Sequence, residues 1–237
     1  IFMPYSSDEL LSFSMEKRIS EVTKAINVAA DHGATLVSFA GILPAITNYG
    51  YAVAKELSTN GNIPDAIKLT TGHSSTVVAV VKTIEKVLWE IKISIKTIKV
   101  AVLGFGSIGQ SSLSLLLDKI GHPESIVIVD LESQLTNLQK PIDNLKSKFS
   151  GKLEVIGTRD NEMPKELFDA QLIIGASSTG LLIDTSRLKK GTILVDDSFP
   201  PLIDISSGIS KMKKSKDMLL LGGGKLLLAD NQVSQYN

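Results

Sequence analysis

The chain has 237 residues, 43% hydrophobic and 21% charged, which is enough for one large domain or two small ones with cores of their own. Lys plus Arg equals Asp plus Glu at 25 each, so no global field draws the protein to nucleic acid or to an anionic membrane. The absence of cysteine excludes disulfides, thiolate metal sites and a cysteine nucleophile, and it fits a cytoplasmic protein.

No apolar run approaches the roughly 20 residues of a membrane span, and the opening residues lack the pattern of a signal peptide. A start at Ile1 is expected of a processed product, an excised domain or part of something longer. Residues 14–33 put Ile19, Val22, Ala25, Ile26 and Ala29 on one stripe, which predicts a helix with Gly33 at its C-cap and His32 against its dipole. "ATLVSFAG" predicts a short strand, residues 44–57 another helix, and "STNGNIP" a turn. "KLTTGHSST" then leads into "VVAVVKTIEKVLWEI", a long amphipathic helix joining two halves, with Trp89 expected in the seam between them.

From Thr97 strands and helices alternate. "TIKVAVLGF" is a predicted strand, "IGQSSLSLLLDKIG" a helix, "SIVIVD" a strand, and "SQLTNLQKPIDNLKSKF" a helix broken near Pro141. "KLEVIGT" follows as strand, "MPKELF" as a short helix, and "AQLIIGAS", "GTILVDDS" and "DMLLLGGG" as further strands. Continuous apolar strands separated by helices predict a parallel sheet covered on both faces. The basic run 210–216 reads as a solvated loop or helix end. The expected boundary lies near residues 91–97. It separates a smaller helical or α/β domain (1–96, linking helix included) from a Rossmann-type, doubly wound domain (97–237).

The turn after the first of these later strands fits Gly104-x-Gly106-x-x-Gly109 and opens a helix. Gly104 permits a tight turn, Gly106 a close approach of backbone N–H groups to a diphosphate, and Gly109 close packing of helix on strand. Phe105, Ser107 and Ile108 complete the cradle. Asp130 ends the next strand at the distance where a carboxylate takes a ribose hydroxyl pair and repels a 2′-phosphate, with Leu131 beside it. NAD or NADP is thus the expected cofactor, NAD being favoured by Asp130. Further candidates end later strands: Ser177, Ser178 and Thr179 beside a nicotinamide ribose, Asp196 with Asp197 and Ser198, and Gly222–Gly224.

The stretches "HGATLVSFAG", "LTTGHSST", "VAVLGFGSIG", "IIGASSTG", "ILVDDSFP" and "LLLGGG" occur in one order over residues 1–226, and in this order the chain resembles the cyanobacterial-type long-chain acyl-acyl carrier protein reductases. That resemblance implies a shikimate-dehydrogenase-like two-domain fold, a nicotinamide cofactor, and reduction of an acyl thioester to an aldehyde through an acyl-cysteine. The family's cysteine position falls near Ala229 here, so no acyl-enzyme through sulfur can form. The family's asparagine after "TTG" is His73, and its following histidine is Ser75. His73 is a candidate proton relay or a packing residue, while Thr71, Ser74 and Thr76 are candidate carbonyl donors or helix caps. Lys225 is either a substrate contact or solvent-facing, and His122 is read as loop.

No metal-ligand constellation and no G-x-S-x-G elbow are present in the sequence. The expected function is an NAD(P)-dependent reductase of an acyl thioester or related carbonyl, with an acyl carrier protein as possible partner and a homo-oligomer as possible assembly. Two alternatives stand beside it: a reductase of a small carbonyl compound, and a non-catalytic cofactor-binding or scaffold module of a larger synthase.

Overall fold

The computed structural model describes residues 1, 3–59, 67–159, 162–216 and 218–224. The chain forms two compact units, Ile1–Ser74 and Ser75–Asn237.

In the first unit α1 (Ser7–Ser12) precedes α2 (Met15–Asp31), which starts at an N-cap Ser14 whose side chain accepts from the Lys17 N–H. It ends before Gly33, whose φ of +83° suits a glycine. Next come β1 (Leu36–Ser38), α3 (Leu43–Ile46), α4 (Tyr51–Thr59) and β2 (Lys68–Thr70). Strands β1 and β2 pair in parallel, Val37 opposite Leu69. Val22 and Ile26 of α2, Val53 and Leu57 of α4, and Phe39 form the core. The single helix predicted over 44–57 is two helices. The buried Thr47 hydroxyl donates to the Leu43 carbonyl and accepts the Gly50 N–H at 3.1 Å, while Asn48, Tyr49 and Gly50 take left-handed φ of 50°, 56° and 82°.

The second unit takes most of α5 (His73–Glu90), so the division lies after residue 74 and not near residues 91–97. Val80, Val81, Ile84, Val87 and Leu88 of this helix join the second unit's core. Trp89 points away from that stripe and is 79% exposed, so it does not fill a seam. Six parallel strands follow: β3 (Lys99–Leu103), β4 (Ser125–Leu131), β5 (Lys152–Thr158), β6 (Leu172–Gly175), β7 (Thr192–Asp196) and β8 (Met218–Gly222). They lie side by side in the order β5-β4-β3-β6-β7-β8. Chain order reverses between β3 and β6, the switch point of a doubly wound α/β fold.

Alternate residues of each strand serve opposite faces. Val100, Val102, Ile126, Ile128, Leu172 and Ile174 pack with α5, with Leu113 and Leu116 of α6 (Ser107–Lys119), and with Ile142 and Leu145 of α7 (Gln139–Lys148). Ala101, Leu103, Val127, Val129 and Ile173 face Leu167 and Phe168 of α8 (Lys165–Phe168), along with Ile203 ahead of α9 (Ile205–Ser215). Burial on both faces explains the unbroken apolar strands in the sequence. The helix expected to break near Pro141 is instead a 3-10 stretch, Glu132–Leu138, running into α7. Pro141 sits in the first turn of α7, where its missing N–H costs nothing.

Candidate functional site

The carboxyl ends of β3, β4, β6, β7 and β8 carry the second unit's candidate residues, and the glycine turn is built by steric need. Gly104 has φ +90°, and a Cβ there would lie 2.6 Å from the Ala176 carbonyl oxygen and 2.7 Å from the Ser177 nitrogen. A Cβ on Gly109 would overlap the Gly104 carbonyl oxygen. Both glycines are therefore required for β3, α6 and the end of β6 to meet. Gly106 is the N-cap of α6 in extended backbone and offers no side-chain cap. First-turn N–H groups, Ser107 and Ile108 among them, thus have no intrahelical acceptor and carry the positive end of the helix dipole.

Asp130 stands beside this turn as the spacing predicts, with a structural role the sequence did not reveal. Its Oδ2 accepts the Phe105 N–H at 2.6 Å and its Oδ1 the Leu131 N–H at 2.7 Å. Gln110 closes the turn from the other side, its Nε2 donating to the Phe105 carbonyl at 2.7 Å. Phe105 itself is buried, so it serves the core, and only its backbone faces this network.

The loop after β6 separates its three hydroxyls. Ser177 is buried, its N–H donates to Ser198 Oγ at 2.9 Å, and its hydroxyl lies 2.8 Å from Thr179 Oγ1 and accepts the Thr179 N–H. Ser177 thereby braces its own loop, while Ser178 and Thr179 are exposed.

Asp196 also braces its loop. Its Oδ1 accepts the Ser198 N–H and its Oδ2 the Leu202 N–H, each at 2.9 Å, so both oxygens pin the loop that carries the cis Phe199–Pro200 bond. Its neighbour Asp197 is different. Among the described residues no hydrogen bond reaches its half-buried carboxyl. Burial lifts its pKa to about 6, and the charge on Asp196 adds to the rise. The sequence placed Asp197 on this edge but could not tell it from Asp196. The signal that separates them is the backbone turn at Ser198 and Leu202.

Thr71 and His73 come together in the first unit. His73 Nδ1 lies 2.7 Å from Thr71 Oγ1, and its ring meets Tyr49 edge-on with centroids 5.2 Å apart. Burial lowers the His73 pKa, so the imidazole is neutral at physiological pH. Tyr49, held in left-handed backbone beside His73, is a neighbour sequence reasoning missed. Also in this unit, Val22, Ala25, Ile26, Val37, Phe39 and Leu43 line an open apolar groove of about 610 Å³. His32 Nδ1 contacts the Val28 carbonyl at 2.8 Å, as its helix-end reading predicts, and the His122 ring lies against Phe149. Ala229 and Lys225 lie outside the described residues. Among the described residues no group of three His, Asp or Glu could hold a metal ion, and no helix is long and apolar enough to cross a membrane.

No protein-family profile matches the chain. The aminotransferase PigE of a Serratia species is 24% identical over 97% of this chain and 24% of its own length, so the chain spans about a quarter of that protein. Among solved structures, shikimate 5-dehydrogenase from Listeria monocytogenes, crystallised with shikimate and NAD, is 14% identical, covering 86% of this chain and 72% of its own at a TM-score of 0.46. L-Tryptophan dehydrogenase from Nostoc punctiforme is 14% identical over 90% of this chain and 55% of its own, TM-score 0.48. The apo D-mandelate dehydrogenase of Rhodotorula graminis is 14% identical over 81% and 65%, TM-score 0.45. None of the proteins named here is an acyl-acyl carrier protein reductase, and that resemblance rests on sequence motifs alone.

Proposed function

We propose that the chain is an NAD(P)-dependent oxidoreductase acting on a carbonyl, with an acyl thioester as the favoured substrate. The observation that carries this reading is the glycine turn. Two glycines that cannot carry a Cβ bring the uncapped start of α6 to the switch point, beside a carboxylate at the end of β4. An uncapped helix start with free N–H groups suits a diphosphate, and Asp130 suits a ribose diol and disfavours a 2′-phosphate. The residues present fit a nicotinamide dinucleotide, which when bound supplies a hydride.

The chain's own residues would divide the remaining work. The backbone of Gly104–Gly109 holds the diphosphate, Asp130 orients the sugar, and the exposed Ser178 and Thr179 flank the far half of the nucleotide. Thr71 and His73 are the proposed hydrogen-bond donors to the carbonyl oxygen, His73 acting as neutral imidazole. The apolar groove of the first unit suits an acyl chain. With no cysteine in the chain, the thioester would be reduced directly, without an acyl-enzyme.

A second reading is a cofactor-binding module of a longer protein, favoured by the match to about a quarter of PigE. One titration separates the readings: NADH and NADPH by fluorescence, then acyl-CoA with absorbance followed at the reduced-nicotinamide band. Nucleotide binding with turnover supports the reductase, and binding alone supports the module. No saturable binding of either nucleotide sinks both. Asp130→Ala is expected to weaken NADH about tenfold, the loss of one charged hydrogen bond, and to narrow the preference over NADPH.

A further inference from the structure

The fold uses one of two adjacent carboxylates at the end of β7 and leaves the other open. Asp196 has both oxygens on backbone N–H groups of its own loop. The Asp197 carboxyl accepts no hydrogen bond and forms no ion pair among the described residues, although it is half-buried. Glycine lets the backbone after β8 pass close beside it. A Cβ on Gly224 would lie 2.5 Å from Asp197 Oδ1, and one on Gly223 would lie 3.2 Å from Asp197 Cβ and 2.8 Å from Val80 Cγ2. A side chain at Gly224 would meet the carboxyl oxygen itself.

This carboxyl belongs to the same sheet edge as the glycine turn. Ser198, the next residue, accepts the Ser177 N–H, and the Ser177 nitrogen in turn abuts Gly104. We propose that Asp197 is the acid that delivers the proton consumed when the carbonyl is reduced, an inference that rests on reading this crevice as a nicotinamide nucleotide site.

The surroundings support the role. From β7 itself the charged neighbour is Asp196. The end of β8 contributes the glycines, and α5 contributes Val80. Burial and the Asp196 charge therefore both favour the protonated form, with a pKa of about 6. A neutral His73 cannot supply a proton and stay neutral, whereas a protonated Asp197 ends as an ordinary carboxylate.

The reductant is a reduced nicotinamide. Hydride forms the new C–H bond at the carbonyl carbon, the C=O π pair withdraws to oxygen, and that oxygen takes the carboxyl proton. For a thioester the carbonyl re-forms as the C–S bond breaks, and the departing sulfur carries the proton away as a thiol. The acyl carbon is reduced, the nicotinamide oxidised, and one proton is consumed.

The test is Asp197→Asn in the intact chain, read in three ways: carboxyl titration by carbon NMR, NADH affinity by fluorescence, and the pH profile of acyl-CoA reduction. The expected result is a wild-type carboxyl titrating near 6 that is missing from the variant's spectrum. NADH affinity should stay within about twofold, and kcat should fall by about 10²-fold or more, the scale of a lost general acid. Wild-type kcat should decline as pH rises through 6, and the variant should lose that decline. A carboxyl titrating in the ordinary range, or a variant with unchanged kcat and pH profile, overturns the role of Asp197 while NADH binding leaves the nucleotide reading standing. Failure of the wild-type chain to bind NADH or NADPH overturns both.

Discussion

The turns after β3 and after β7 lie on one sheet edge and are built by opposite means. The first is shaped by missing side chains: Gly104 and Gly109 let backbone meet backbone, and no side chain among the described residues caps the start of α6. The second is shaped by a side chain that draws N–H groups inward, Asp196 taking those of Ser198 and Leu202. The first turn therefore presents helix-start donors and the positive end of a dipole, with Asp130 on the Phe105 N–H, while the second presents the Asp197 carboxyl. In the proposed function the anion sits at the first and the proton transfer at the second.

The comparison breaks most severely at Gly109. A Cβ there would overlap a backbone oxygen that no rotamer change can move, so Gly109→Ala must push α6 off β3. The expected loss is about 3 kcal/mol, at the upper end for overpacking, measured by urea unfolding, with NADH binding lost alongside. A stable variant that still binds NADH would mean the turn does not need this close approach. The loop after β7 should respond less. Asp196→Ala orphans two backbone N–H groups and should cost about 2 kcal/mol, with NADH affinity little changed. If affinity collapsed while stability held, Asp196 would be a ligand after all and the contrast between the two turns would fail.

The same contrast explains what was legible in the sequence. A backbone-built turn announces itself, because glycine spacing is the mark of positions that cannot hold a Cβ. Gly104 and Gly109 are indeed positions where a Cβ does not fit, and Asp130 stands beside their turn. The strands were equally legible, since burial on both faces demands unbroken apolar runs. A side-chain-built loop leaves no such mark. Asp196 and Asp197 are identical neighbours, distinguished only by which carboxylate turns onto the loop. The break between α3 and α4 was hidden for a related reason, because a threonine hydroxyl and two left-handed non-glycine residues make it. Trp89 could have been placed from period alone: Val80, Ile84, Val87 and Leu88 define the buried stripe of α5, and position 89 falls on the opposite face.

The smallest effect, and the sharpest for the pair of aspartates, is on stability against pH. Asp197 has a pKa of about 6 in the folded protein against an ordinary 3.8. Between those values the folded chain holds a proton that the unfolded chain has released, so raising the pH favours unfolding. This group's contribution is most favourable below about pH 4, declines through 4–6 and is level above 6. Because the carboxyl is partly open to solvent, the decline should be only about 1 kcal/mol after screening. Glu132 and Glu154, whose pKa values are held low by Arg159 and Lys152, slope the opposite way and would mask it in the wild type alone. Subtracting the Asp197→Asn curve removes them. The difference should show the variant more stable by about 1 kcal/mol at pH 7, with the gap closing toward pH 4. A flat difference would mean that Asp197 ionises as freely as a surface carboxylate, and the two aspartates would then differ in geometry but not in electrostatics.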